Sequence, residues 1–177
     1  MKNNLDVFYY FKIFKNQVEN EANAKIKILR SDGGGEYFSH EFSNFLYDCG
    51  IKRQYTYRYT PQQNGVAERK NRTIVKVATS MLNEKCMPHS FWADVIHIAV
   101  YLINICPTAG IHSVTPEEVW TNKKPNLACL KMFGCVCYVH VPRELRTKLD
   151  AKSKKYVFVG YSHEQKGYQC YNPSQEN

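Results

Sequence analysis

The chain is short of acid. Asp and Glu number 16 against 24 Lys and Arg in 177 residues, giving a net charge of +8 and an isoelectric point of about 9.1. A basic balance of this kind favours a polyanionic partner. Long apolar runs are lacking too: the nearest, residues 95–105, is broken by His97, Tyr101 and Asn104, so no membrane partner is expected. No apolar signal segment opens the chain, and the seven cysteines are an odd number. Together these read as reduced thiols of an intracellular protein, nuclear or cytoplasmic. Cys135 and Cys137 lack a second ligand pair at metal-finger spacing, which excludes a finger-type zinc site and leaves buried structural thiols. Internal repeats and low-complexity tracts are absent. The length suits one ordinary domain, or an incomplete domain plus a small one.

Two of the scarce acids are placed suggestively. Asp32 follows a strand-like run, residues 25–29, in which lysines alternate with isoleucines at period two. Glu68 falls in the first turn of a helix announced by Pro61, Gln62, Gln63, Asn64 and Gly65. Thirty-five residues separate them. A carboxylate at a strand end and another at a helix start can converge in an α/β core and hold a hard divalent cation, which takes oxygen ligands. Plain alternatives stand beside that reading. Asp32, followed by Gly33, Gly34 and Gly35, is equally an ordinary turn former, and a charged helix face is equally a solvated one.

The remaining elements follow from period and punctuation. Residues 4–20 read as an amphipathic helix with Val7, Phe11, Phe14 and Val18 inward. Ser39 caps a short helix that buries Phe42, Phe45 and Leu46 and stops at Gly50. Residues 51–57 read as a second strand, and residues 57–65 as a polar loop. The helix over 66–84 puts Glu68, Arg72, Lys76 and Thr79 on one side, with Arg69 adjacent, and Ile74, Val77, Ala78, Met81 and Leu82 on the other. Lys52, Arg53, Arg58, Arg69, Lys70, Arg72 and Lys76 share a window whose one acid is Glu68, a pattern suited to phosphate contacts. Tyr55, Tyr57 and Tyr59 interleave with these cations and read as packing residues. Residues 89–105 read as a buried helix ended by Pro107, with Phe91, Trp92, Val95, Ile96, Ala99, Leu102 and Ile103 at core spacing. Thr115, Pro116, Glu117 and Glu118 start a small connector helix. From Phe133 the period becomes two, with further strands at 155–161 and 167–171.

The Asp, the thirty-five-residue gap, the Glu and the run Pro-Gln-Gln-Asn-Gly-Val-Ala-Glu-Arg-Lys-Asn-Arg-Thr over 61–73 resemble the integrase core of Copia-type retrotransposons. The phrases Phe-Gly-Cys at 133–135 and Lys-Lys-Tyr-Val-Phe-Val-Gly-Tyr-Ser at 154–162 resemble the SH3-like module that follows that core in the polyprotein. The resemblance covers nearly the whole chain. It implies an α/β fold: a partial RNase H-like core lacking its first strands over 1–106, a connector over 107–130, and an SH3-like β module, expected to be short of its closing strand, over 131–177.

The function so implied is DNA integration by phosphoryl transfer, with two Mg²⁺ or Mn²⁺ ions held by three acids. Asp32 matches the second acid and Glu68 the third, as catalytic residues and metal ligands. Arg69, Lys70, Arg72 and Lys76 would hold phosphates of element and target DNA, and Gln63 and Asn64 would reach DNA from the loop. The intact protein is expected to be a homo-oligomer. The first acid has no counterpart, because Asp6 stands among helical positions. The chain alone is therefore expected to be inactive in strand transfer. A second reading is a non-catalytic DNA-binding remnant, and a third, less favoured, is a general RNase H-like nuclease.

Overall fold

The computed structural model describes residues 4–31, 39–55, 61–162 and 167–175. Two compact units, 1–70 and 71–177, are taken separately.

In the first unit, helix α1 (Asn4–Ala22) leads to strand β1 (Ile28–Ser31), helix α2 (His40–Asp48), strand β2 (Lys52–Tyr55) and the start of helix α3 (Pro61–Glu84). β1 and β2 pair in parallel, from Ile28↔Lys52 to Ser31↔Tyr55. Parallel neighbours require a crossover, and α2 supplies it. Ser39 caps α2 as its sequence predicts, accepting the Phe42 N–H. Past its end, Gly50 takes φ +67°, open to glycine without strain. Phe42, Leu46 and Ile51 form the buried core, joined by Phe8, Phe11, Ile26 and Leu29.

The sequence reading needs two corrections here. Phe14 is exposed and Lys15 is buried in its place, because Lys15 pairs with Glu19 at 2.9 Å on the covered face. β1 starts at Ile28 rather than residue 25. Glu19 accepts the Ile26 N–H at 2.9 Å and the Lys25 ammonium at 3.3 Å, which pins the chain to α1 before it can enter the strand.

The second unit contains the rest of α3, a 3-10 turn (His89–Phe91), helix α4 (Trp92–Ile105), helix α5 (Pro116–Thr121) and strands β3 (Val136–His140), β4 (Ser153–Tyr161) and β5 (Tyr168–Tyr171). The strands form an antiparallel sheet in that order. One core joins Ala78 and Leu82 of α3, Val95, Ile98 and Ala99 of α4, and Phe133, Phe158 and Val159. α5 begins with a full capping box: Thr115 Oγ1 accepts the Glu118 N–H, and the Glu118 carboxylate accepts the Thr115 N–H.

α3 begins at Pro61, so 61–65 are helical rather than loop; proline suits a first turn, where no N–H partner is needed. In α4 the buried face includes Ile98, which the sequence spacing passes over, while Trp92 stays 40% exposed. The 3-10 turn before it changes the angular phase, so spacing counted from Phe91 drifts off the core. β4 extends two residues further back than expected, to the Ser153↔His140 pair. The limits 1–106, 107–130 and 131–177 come from the resemblance, whereas by packing the chain divides within α3. Among the described residues no single helix is long and apolar enough to cross a membrane.

Candidate nucleic-acid interface

Beyond Gly65, α3 runs exposed for two turns. From Val66 to Thr73 every residue is exposed, and burial begins only with the Ile74, Val77, Ala78 side further along. This stretch carries Glu68, Arg69, Lys70 and Arg72, with Lys76 one turn on from Arg72; all five are exposed. Residues four apart share a helix face, so Glu68, Arg72 and Lys76 form one row. Gly65 lets the Arg69 side chain fold back along the helix: a Cβ there would lie 3.2 Å from Arg69 Nη1. Thr79 and Ser80 satisfy their hydroxyls on the carbonyls of Val75 and Lys76, leaving the cations as the row's chemistry.

Asp32 lies outside the described residues, as do the Gln63 and Asn64 side chains, Arg58, Tyr57 and Tyr59. Ser31, the last residue of β1, stands beside Tyr55 at the carboxyl ends of the parallel pair. In open α/β sheets that end is where ligands bind. Asp32 follows Ser31 directly in the chain. Among the described residues no three His, Cys, Asp or Glu side chains are grouped to hold a metal.

Arg53 leaves the basic window. Its Nη1 donates to Ser43 Oγ at 3.1 Å and to the Tyr55 hydroxyl at 2.9 Å, and its guanidinium lies 5.3 Å from the Phe42 and Tyr55 ring centroids. It stitches β2 to α2. The signal was in the sequence, since Arg53 alternates with exposed Lys52 on a strand beside an aromatic helix face. Tyr55, itself 44% exposed, partners Arg53 through its hydroxyl and ring rather than packing into the core.

The comparisons with known proteins agree with this architecture. Residues 135–177 match the retroviral polymerase SH3-like domain family. The chain is 47% identical over 173 residues to the retrovirus-related Pol polyprotein from transposon TNT 1-94 of Nicotiana tabacum, covering 98% of this chain and 13% of that protein. To the polyprotein from transposon RE2 of Arabidopsis thaliana it is 38% identical over 160 residues, covering 90% of this chain and 11% of that protein. By structure it resembles a chain of the simian T-cell lymphotropic virus intasome bound to PP2A regulatory subunit B56 gamma. That match has TM-score 0.54 and 12% identity, over 90% of this chain and 55% of that one.

A parallel α/β segment followed in the chain by a sheet of the retroviral polymerase SH3-like family defines a piece of a retroelement polyprotein. The chain belongs to the retrovirus-related Pol polyproteins of Copia-type transposons. It spans about an eighth of the length of these curated relatives.

Proposed function

We propose that this chain is the DNA-engaging and acid-bearing part of a retrotransposon integrase, acting within a larger, oligomeric protein on element ends and target DNA. The observation that carries the reading is the exposed, basic stretch of α3 from Val66 to Thr73 and on to Lys76, in which Glu68 is the one acid. Helix packing does not explain four exposed cations there, and phosphates do. Arg69, Lys70, Arg72 and Lys76 position the duplex, and Gln63 and Asn64 lie in the turn before them.

Asp32 and Glu68 are the metal-holding and catalytic carboxylates in this reading. Their donor set is oxygen only, which fits Mg²⁺ or Mn²⁺ and not a thiophilic ion. When bound, a pair of such ions supplies nucleophile activation and leaving-group stabilisation in phosphoryl transfer. Within these 177 residues Asp32 and Glu68 match two of the three acids that the resemblance implies, and Asp6 belongs to α1. The polypeptide by itself is thus a DNA binder that does not join strands. The test is titration of a fluorescent duplex across salt. The four α3 cations alone give log K a slope of about −4 against log salt, and replacing Arg69, Arg72 and Lys76 with alanine flattens it by about 3. Binding indifferent to salt or to that substitution overturns the reading. Joining of a labelled donor end by the purified chain with Mn²⁺, abolished by Glu68→Gln, overturns the non-joining part.

A further inference from the structure

We propose that the cleft between α4 and the β4–β5 ladder receives an arginine side chain from a partner protein. The cleft, about 350 Å³, lies wholly within the second unit and far along the chain from the acids matched to catalysis. Asp94, His97 and Tyr101 of α4 line one wall; Gly160, Tyr161 and Gln169 line the other.

Four features make it a built site. The Tyr161 ring is fixed, because its hydroxyl accepts the Lys131 N–H at 2.9 Å and donates to the Lys131 carbonyl at 3.3 Å. Tyr101 leans on it with ring centroids 4.8 Å apart at 45°, and the residue is 37% exposed. The ladder shifts register between Phe158 and Gly160, the mark of a bulge, and bulges re-aim side chains near sites. At Gly160 a Cβ would lie 2.7 Å from Gln169 Oε1, so only bare backbone lets that amide oxygen rest at the cleft.

The chemistry selects the ligand. Among the described residues the lining bears one carboxylate, Asp94, and no Lys or Arg, in a chain whose net charge is +8. The one charged group there favours a cation over an anion. Asp94 and Gln169 Oε1 are acceptors, and a tyrosine face attracts cations. A guanidinium is planar, carries five donors in a fixed fork, and stacks on aromatic faces; an ammonium offers a point charge and no plane. A neutral nucleobase gains less from the Asp94 carboxylate than a cation does, which disfavours it.

The test uses the full ¹⁵N-labelled chain and three probes: Nα-acetyl-arginine methylamide, its lysine counterpart and deoxyguanosine. The arginine probe is expected to give saturable shifts at Tyr101, Gly160 and Gln169, and to bind severalfold more tightly than the lysine probe. Asp94→Asn should weaken it about tenfold, the loss of one charge-assisted contact. Gly160→Ala should weaken it by displacing Gln169, and Gln169→Ala serves the same purpose where Gly160→Ala does not fold. The proposal is overturned by absence of saturable shifts, by equal binding of the lysine probe, by tighter binding of deoxyguanosine, or by an unaffected Asp94→Asn. Shifts at these residues that grow with protein concentration alone would assign the cleft to a second copy, and overturn the partner.

Discussion

Lys15 and Glu19 meet at 2.9 Å on α1, with only 10% and 8% of their side chains exposed. The Lys15 contact, then the Ile26 N–H, holds the Glu19 carboxyl at about 2, well below its ordinary 4.5. The native state thus favours the ionised acid, which stabilises fully above about pH 4.5 and is lost as pH falls from there towards 2. Circular-dichroism melts between pH 2 and 6 should show the unfolding midpoint falling through that window. Glu19→Gln should lower the midpoint at pH 6 and shrink its dependence on pH; an unchanged dependence would remove Glu19 as the source.

The seven thiols should divide by rate of alkylation. Cys49, Cys86, Cys106 and Cys129 are exposed, whereas Cys135, Cys137 and Cys170 are half-buried. Burial, then the hydrogen bond to Cys170 at 3.3 Å, pushes the Cys137 thiol up to about 11. The reactive thiolate is therefore scarce at neutral pH. Mass spectrometry after a timed iodoacetamide pulse at pH 7.5 should find the first four modified before Cys137. Early labelling of Cys137 in folded protein would contradict the packing of β3.

Gly134→Ala is expected to destabilise the second unit by at least about 1 kcal/mol, because alanine tolerates positive φ poorly. Gly134 has φ +74°, and a Cβ there would stand 2.7 Å from Lys85 Cγ and 2.8 Å from Lys85 Cβ. The control is Gly110→Ala, where nothing lies within 4 Å. Urea unfolding of the two variants should separate them, and equal midpoints would refute the assignment.

Thr115→Ala removes the hydroxyl half of the capping box and should cost about 1 kcal/mol. Thr115 is buried and its oxygen takes the Glu118 N–H at 3.0 Å. Thr115→Ser keeps that acceptor and should retain most of the stability. Hydrogen exchange at Glu118 and Val119 reads the effect locally; no gain in exchange on Thr115→Ala would place the helix start elsewhere.

What could be read ahead of the structure was whatever is decided locally. The Ser39 and Thr115 caps depend on a few adjacent residues and came out as their chemistry dictates, whereas the alternation of β3 fails at Val139, which is exposed along with Tyr138 and His140. What was missed depends on which side chains pair with one another, or on phase, neither of which hydrophobic period alone weighs. Lys15 is an inward residue because Glu19 pairs with it, and Phe14 is displaced although it is the better apolar candidate. Arg53 looked like a phosphate ligand until Ser43 and Tyr55 were placed beside it. Of the candidate site, the exposed cations of α3 were legible from helical period. The Tyr101–Tyr161 ring pair of the cleft was not, since its members stand sixty positions apart in the chain.

The SH3-like match starts at residue 135, but Phe158 and Val159 share their core with Ala78 and Leu82 of α3 and Val95, Ile98 and Ala99 of α4. The sheet is therefore not a portable cassette. A recombination event that moved 135–177 alone would carry off strands with their inner face bare, and leave behind two helices stripped of their cover. Physically, what must travel together runs from the second half of α3 to the end of β5, a boundary that cuts through the middle of a helix rather than between domains.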